Sequence, residues 1–401
     1  MTRPFDGRRV LLGVTGGIAC YKAVPLARLL TQAGAEVDVV LTRSAREFVG
    51  EVTFEAVTGR PVHTEMHGAG HALDHIRLPR AADLLVVAPA TADFMARAAQ
   101  GRADDLLAAA LLANVAPVLV VPAMNDRMWA HPQTGRNARH LRELGYAVLE
   151  PADGPLAVGE GSGPGRMPEP EEIVAHCARQ LGGGSMRGLR VLVTAGPTRE
   201  ALDPVRYLSN HSSGKMGAAV AAAAWQRGAE VTLVHGPLTA ALPVGPRRVA
   251  VTTTAEMCDA VRAEIGEADL LVMAAAPADF RIGDPAAQKI KKGAAAPTLV
   301  LKPTVDILIA TADARKPGAV AVGFALETTD LLPSARRKLD AKRLDLVVAN
   351  DATEAGAGFG VDTNRVTFVA RGEPDEPLPL LAKAAVADAI LDRVERLRDG
   401  R

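Results

Sequence analysis

His75, in Leu73-Asp74-His75-Ile76, carries an imidazole, a side chain that by type can act as base or proton partner. Asn125 ends Pro122-Ala123-Met124-Asn125, just after the apolar run Val118–Val121, and offers both a donor and an acceptor, or simply a helix cap. Gly16-Gly17-Ile18 closes an earlier apolar run, where bare backbone amides at a helix start can hold a phosphate. A tight turn needs glycine anyway, and the spacing is not GxGxxG, so a mononucleotide fits better than a dinucleotide. Further on, Asn210-His211-Ser212-Ser213-Gly214-Lys215-Met216-Gly217 gathers hydroxyls, glycine and a lysine at a helix entrance, which is good anion chemistry. A Walker A loop needs glycine at 209 and a hydroxyl residue at 216, where Ser209 and Met216 stand. Lys338 and Lys342 are four apart, on one helix face, so both can reach one triphosphate. On residue type alone, that pair reads as an exposed face and the run Lys289-Ile290-Lys291-Lys292 as a solvated loop. His63, His67 and His71 precede His75 and read as solvated loop histidines rather than metal ligands, because nothing else nearby supplies ligands.

The elements that must position these residues follow from apolar patterning. Arg9–Val14 is a short strand ending in glycine, about Ile18 to Ala33 is helix-periodic, and Val37–Leu41 is a second strand. That β-α-β unit implies a parallel sheet. The pattern restarts at Arg190–Ala195, with a helix from about Gly217 to Gln226 and a strand after Gly228. Each half later carries Ala-Asp-Leu-Leu-Val, at Ala82 and at Ala268. Convergence of α/β phrases and ancient duplication explain this equally well. A chain of 401 residues exceeds one ordinary core, so the expected fold is α/β with two doubly wound parallel-sheet domains. The segment Gly182-Gly183-Gly184-Ser185 reads as a joint, which puts the domains at 1–186 and 187–401.

Lysine plus arginine and aspartate plus glutamate both total 46, so the chain has no global field for polyanions and nucleic-acid binding is disfavoured. The N-terminus runs into a strand without a signal-peptide core, and no apolar run is long enough to span a bilayer. Cys20, Cys177 and Cys258 lack CxxC pairing and read as reduced thiols. A cytoplasmic protein with no membrane contact is expected.

Gly16-Gly17-Ile18-Ala19 with Tyr21-Lys22, then His75, Ala88-Pro89-Ala90-Thr91-Ala92-Asp93-Phe94, and Pro122-Ala123-Met124-Asn125 with Met128-Trp129 resemble the flavin-dependent cysteine decarboxylase family. Ala195-Gly196-Pro197-Thr198-Arg199-Glu200 and the Asn210–Gly217 phrase match a ligase-domain signature almost letter for letter. The whole set is similar to the bacterial family of bifunctional phosphopantothenoylcysteine decarboxylase/phosphopantothenate–cysteine ligases, over nearly the whole chain and in the same order. The resemblance implies an enzyme of coenzyme A biosynthesis, flavoprotein-like in its first half and Rossmann-like in its second. FMN and Mg²⁺ would be its cofactors, and phosphopantothenate, cysteine and CTP its partners. By that resemblance CTP converts the pantothenate carboxylate to an acyl-cytidylate, and the cysteine amine then attacks. A β-carbon hydride of the new cysteine moiety next passes to FMN, the carboxylate leaves as carbon dioxide, and the resulting enethiolate is reduced.

The same resemblance makes His75 the active-site histidine and Asn125 the holder of the substrate carboxylate, with Gly16, Gly17, Ile18, Thr42, Ala90 and Thr91 as flavin contacts. Asn210 orients the activated carbonyl and Lys289 serves cytidylate formation. CTP would be bound by Asp279, Lys289, Val305, Asp306, Ile307, Leu308, Phe324, Lys338 and Lys342. No dedicated metal cage is expected. The family also implies dimeric ligase domains and trimeric decarboxylase domains, with flavin at subunit contacts, combining into a large closed homo-oligomer such as a dodecamer. There are departures. Pro277 replaces the usual valine, Val305 stands where proline is common, and Val158 in Leu156-Ala157-Val158-Gly159 replaces a cysteine that donates the final proton. Valine cannot donate one. Three outcomes are open: another acid or water substitutes, the last step is slow, or this half is impaired and the chain is a ligase alone.

Overall fold

Short runs of β-branched and leucine residues, apolar on both faces, form strands buried on both faces of a parallel sheet. The computed structural model describes residues 5–68, 70–159, 161–292, 298–354 and 356–400. It divides into two compact units, Arg3–Gly183 and Gly184–Arg401. Met186 belongs to the second: it is fully buried, and its N–H donates to Arg227 O at 2.9 Å.

In the first unit the strands are β1 (Arg9–Val14), β2 (Glu36–Leu41), β3 (Val62–His63), β4 (Leu84–Ala90), β5 (Val118–Pro122) and β6 (Ala147–Val148). They form one parallel sheet in the order β3-β2-β1-β4-β5-β6. The order reverses direction between β1 and β4, which is where an open α/β sheet leaves a crevice beyond its strand ends. The helix Cys20–Gln32 turns Cys20, Ala23, Leu26, Ala27 and Leu30 inward at helical spacing, against one face. The apolar run Leu84–Val87 reads in sequence as a strand that ends before Pro89, but β4 runs to Ala90. Pro89 has no N–H to give, and the pairing shifts register past it so that Ala90 lies opposite Pro122. An antiparallel hairpin, β7 (Ala152–Pro155) and β8 (Ser162–Arg166), follows the sheet.

In the second unit the chain makes β9 (Arg190–Ala195), then the small pair β10 (Arg199–Ala201) and β11 (Tyr207–Ser209). There follow β12 (Glu230–His235), β13 (Arg247–Ala250), β14 (Leu270–Met273) and the pair β15 (Phe280–Ile282) and β16 (Leu301–Pro303). The last strands are β17 (Val320–Glu327), β18 (Leu346–Asp351), β19 (Thr363–Asn364), β20 (Thr367–Ala370), β21 (Glu376–Pro377) and β22 (Leu381–Ala382). The main sheet has the order β13-β12-β9-β14-β17-β18-β20-β21, parallel from β13 to β18 and antiparallel at the β20-β21 edge. The alanine-rich helix Lys215–Gln226 lies so close to β9 that a Cβ on Gly217 would stand 2.6 Å from Thr194 O. Small residues there bring the helix entrance down onto the strand end. No helix among the described residues is long and apolar enough to cross a membrane.

Candidate functional sites

At the carboxyl ends of β1, β2 and β4, three turns meet. Thr15 is fully buried; its Oγ1 donates to Pro89 O at 2.8 Å and accepts from Thr91 N at 3.0 Å, tying the β1 turn to the β4 turn. A Cβ on Gly16 would stand 2.3 Å from Ser44 Cβ and 2.6 Å from the Ser44 carbonyl carbon, so only glycine fits beneath the turn that follows β2. That turn starts at Thr42, whose N–H donates to Val14 O at 3.1 Å. Above Gly17 there is space, with Thr91 Cγ2 at 3.8 Å the nearest neighbour of an added Cβ. Ile18 is exposed, and Thr91 caps the helix Ala92–Ala99 through Phe94 N. Gly16, Gly17, Thr42, Ala90 and Thr91 thus come together in adjoining turns at the strand ends, where a glycine turn opening a helix can hold a phosphate.

Asn125 caps the short helix Asp126–Ala130, its Oδ1 accepting from Arg127 N at 3.0 Å. Its two amide hydrogens remain the donors it can offer. The hairpin base lies on this loop: Met124 N donates to Gly165 O at 3.0 Å, and a Cβ on Gly165 would stand 2.2 Å from Met124 O. Lys22, which residue type alone did not single out, is buried and joins the first helix to the end of the hairpin, donating to Met167 O at 2.9 Å and Glu169 Oε1 at 2.7 Å. A lysine inside the apolar spacing of that helix was the available signal. Val158 sits at the hairpin tip, fully exposed. Cys20 and Cys177 are buried, and burial pushes both thiols up.

His75 lies in the first turn of the helix Asp74–Ala81, and its Nδ1 is buried without a hydrogen-bond partner. Asp74, buried beside it, corrects the reading of the histidine loop. His63, His71 and Asp74 bring ligand atoms within 4.8 Å of one another, so a carboxylate does stand near two of the histidines. That carboxylate is already engaged by His71 Nδ1 at 2.8 Å, and His63 Nδ1 lies 3.5 Å away. A hydrogen-bond network accounts for the cluster.

The second unit holds a cavity of about 520 Å³ beyond the ends of β9, β14 and β17. Asn210, Asp279, Val305, Asp306, Ile307, Leu308, Phe324, Lys338 and Lys342 all line it, together with Ser212, Ser213, Gly214 and Lys215 at the helix entrance. Lys289 does not. It is exposed on a segment whose next residue is clamped: Ile290 N donates to Asp203 Oδ2 at 3.1 Å, and Arg206 Nη2 to Ile290 O at 2.8 Å. The Arg206 side chain, with three backbone N–H groups, holds the Asp203 carboxyl well below the usual range.

Asn210 donates through Nδ2 to Ala276 O and Pro277 O, both at 3.0 Å, so only its Oδ1 is left to address a ligand. The turn it grips rests on buried hydroxyls that the sequence reading missed. Thr198 Oγ1 accepts from Ala278 N at 2.9 Å and lies 2.8 Å from Thr254 Oγ1, which in turn donates to Glu200 Oε1 at 2.9 Å. Threonines and a glutamate at strand and helix ends give no signal until the fold buries them together.

Asp306 caps the helix Ile307–Ala310 through Ile309 N at 3.2 Å and pairs with Lys342 Nζ at 2.7 Å. Burial would raise its pKa, but Lys342, that N–H and Lys338 together hold it low. Lys338 donates to Phe324 O, and burial, reinforced by the charge of Lys342, pushes it down to about 8. A polar cavity with several cations, the carboxylates of Asp279 and Asp306 and an apolar ring has the chemistry to hold a nucleotide polyphosphate.

Known families match both halves. One described as flavoprotein matches residues 2–182, and one described as DNA/pantothenate metabolism flavoprotein C-terminal domain matches residues 186–397. The chain is similar to the coenzyme A biosynthesis bifunctional protein of Vibrio cholerae, with 46% identity over 389 residues, 96% of this chain and 97% of that one. The protein of that name from Mycolicibacterium smegmatis is 46% identical over 403 residues, covering 96% and 97%. The one from Bacillus subtilis is 44% identical over 399 residues, covering 98% of each.

Proposed function

The chain belongs to the family of bifunctional coenzyme A biosynthesis proteins, a decarboxylase half followed by a ligase half, and from that membership we propose how its residues divide the work. In the second unit CTP and 4′-phosphopantothenate share the cavity. The pantothenate carboxylate attacks the α-phosphorus, the bond to the β-phosphate breaks, and pyrophosphate leaves. The cysteine amine then attacks the acyl carbon, an amide bond forms and CMP departs. Lys338 and Lys342 neutralise triphosphate charge, and Lys289 joins them when its segment swings in from Ile290. Asp279 and Phe324 take the nucleoside, with residues 305–308 beneath it. On resemblance, Asn210 holds the activated carbonyl. With its donor side spent on Ala276 O and Pro277 O, it is better suited to accept from the attacking amine. Mg²⁺ fits here as a companion of the phosphates and water rather than in a protein cage, since Asp306 is already neutralised by Lys342.

In the first unit the rim of Gly16, Gly17, Thr42, Ala90 and Thr91, with exposed Ile18, receives FMN. The fit rests on Gly16, where any Cβ would strike Ser44. FMN held there would supply the two-electron oxidation of the cysteine moiety and the later reduction of the enethiolate. Asn125 donates its free amide hydrogens to the departing carboxylate, and the unpartnered Nδ1 of His75 serves as proton partner. A decarboxylase domain ending at Gly183 and a ligase domain beginning at Gly184, a cytoplasmic setting and a closed homo-oligomer belong to the same reading.

The cavity that gathers Asn210, Asp279, Phe324, Lys338 and Lys342 carries the proposal. Purified protein given phosphopantothenate, cysteine and CTP is expected to release pyrophosphate over many turnovers only with all three present, at most one equivalent per site without cysteine, and then carbon dioxide. CTP turnover that ignores cysteine would overturn the ligase assignment. A colourless protein that takes up no FMN would overturn the flavin site.

A further inference from the structure

Lys383 opens the helix Lys383–Asp399, is 7% exposed and lines the nucleotide cavity. This is an unfavourable place for a cation, because a helix N-terminus favours negative charge and a buried ammonium is costly without a counter-charge. Among the described residues its Nζ has only carbonyl partners, Gly358 O at 3.0 Å and Val361 O at 2.7 Å. A second ammonium stands close by. Lys215, at the helix entrance facing the same cavity, donates to Gly360 O at 2.9 Å and to Asp362 Oδ1 at 2.6 Å. Asp362 is thus bonded to Lys215 and acts on Lys383 only through space, along a loop whose Gly356, Gly358 and Gly360 have φ of 80°, 90° and 78°. At those angles a side chain is strained, so the loop is committed to turning its carbonyls onto these lysines. Each ammonium has three N–H donors, and Lys383 has spent two on carbonyls. What this end of the cavity lacks is negative charge.

Resting on the nucleotide reading above, we propose that Lys383, with Lys215, holds the β- and γ-phosphates of CTP and retains them as the leaving pyrophosphate. The nucleoside lies toward Asp279 and Phe324, and the triphosphate tail runs to the glycine loop. Charge-assisted hydrogen bonds to phosphate form there in place of bonds to carbonyls.

Calorimetric titration of the full chain with CTP, CMP and pyrophosphate tests the assignment. Lys383→Gln is expected to weaken CTP and pyrophosphate binding by roughly tenfold to a hundredfold and to leave CMP unchanged, with Lys383→Arg recovering part of the loss. Lys215→Gln, a more exposed site, is expected to show the same selectivity and serves if Lys383→Gln does not fold. Loss of CMP binding in step with CTP would mean that the lysine only supports the loop, and overturns the proposal. So does pyrophosphate binding equal to that of the unaltered chain. If the unaltered chain binds no CTP, the nucleotide reading itself falls, and this assignment with it.

Discussion

Lys338 is held near pH 8 by burial and by Lys342, so its charge is lost within the range in which an enzyme can be assayed. The KM for CTP is expected to rise as pH passes about 8, and Lys338→Arg to flatten that rise, since guanidinium stays charged. Stability runs the other way. The folded pKa lies below the ordinary 10.5, so between about 8 and 10.5 the unfolded chain binds more protons, and this lysine's contribution to stability grows with pH. Val158 presents a different case, because what its side chain lacks is a proton to donate rather than a charge. At a fully exposed tip a thiol can be added without crowding, and Val158→Cys is expected to increase the fraction of decarboxylated product that reaches the saturated thiol, read by mass spectrometry.

The turns between elements carry the flavin argument. Gly16→Ala brings a methyl within 2.3 Å of Ser44, so the purified variant is expected to lose most of its flavin absorbance while keeping ligase activity. How far the sequence reaches is visible at this level. Strands buried on both faces write themselves as apolar runs, so β1, β2, β5, β9 and β14 were legible, as was the glycine turn after β1. The end of β4 was not, because a proline that interrupts pairing does not say whether pairing resumes. Nor was the grouping of Thr198, Glu200 and Thr254, residues from separate elements whose polarity reads as surface until the fold buries them. The cavity residues were recognisable as phrases, yet Lys289 stands outside it, since motif matching orders residues along the chain and carries no distances.

Each unit has its own sheet and its own buried core, so residues 184–401 expressed alone are expected to fold and to retain cysteine-dependent pyrophosphate release. Calorimetry on the full chain should resolve two unfolding transitions, with added FMN raising only one of them. The units also differ in what they ask of the same amide group. Asn125 spends its oxygen on the backbone, whereas Asn210 spends its nitrogen. One isosteric exchange therefore has two fates. Asn125→Asp keeps its cap and repels the carboxylate it should welcome, so catalysis fails in an unshaken scaffold. Asn210→Asp sets oxygen against two oxygens within the protein itself, and the damage registers first as a lower melting temperature.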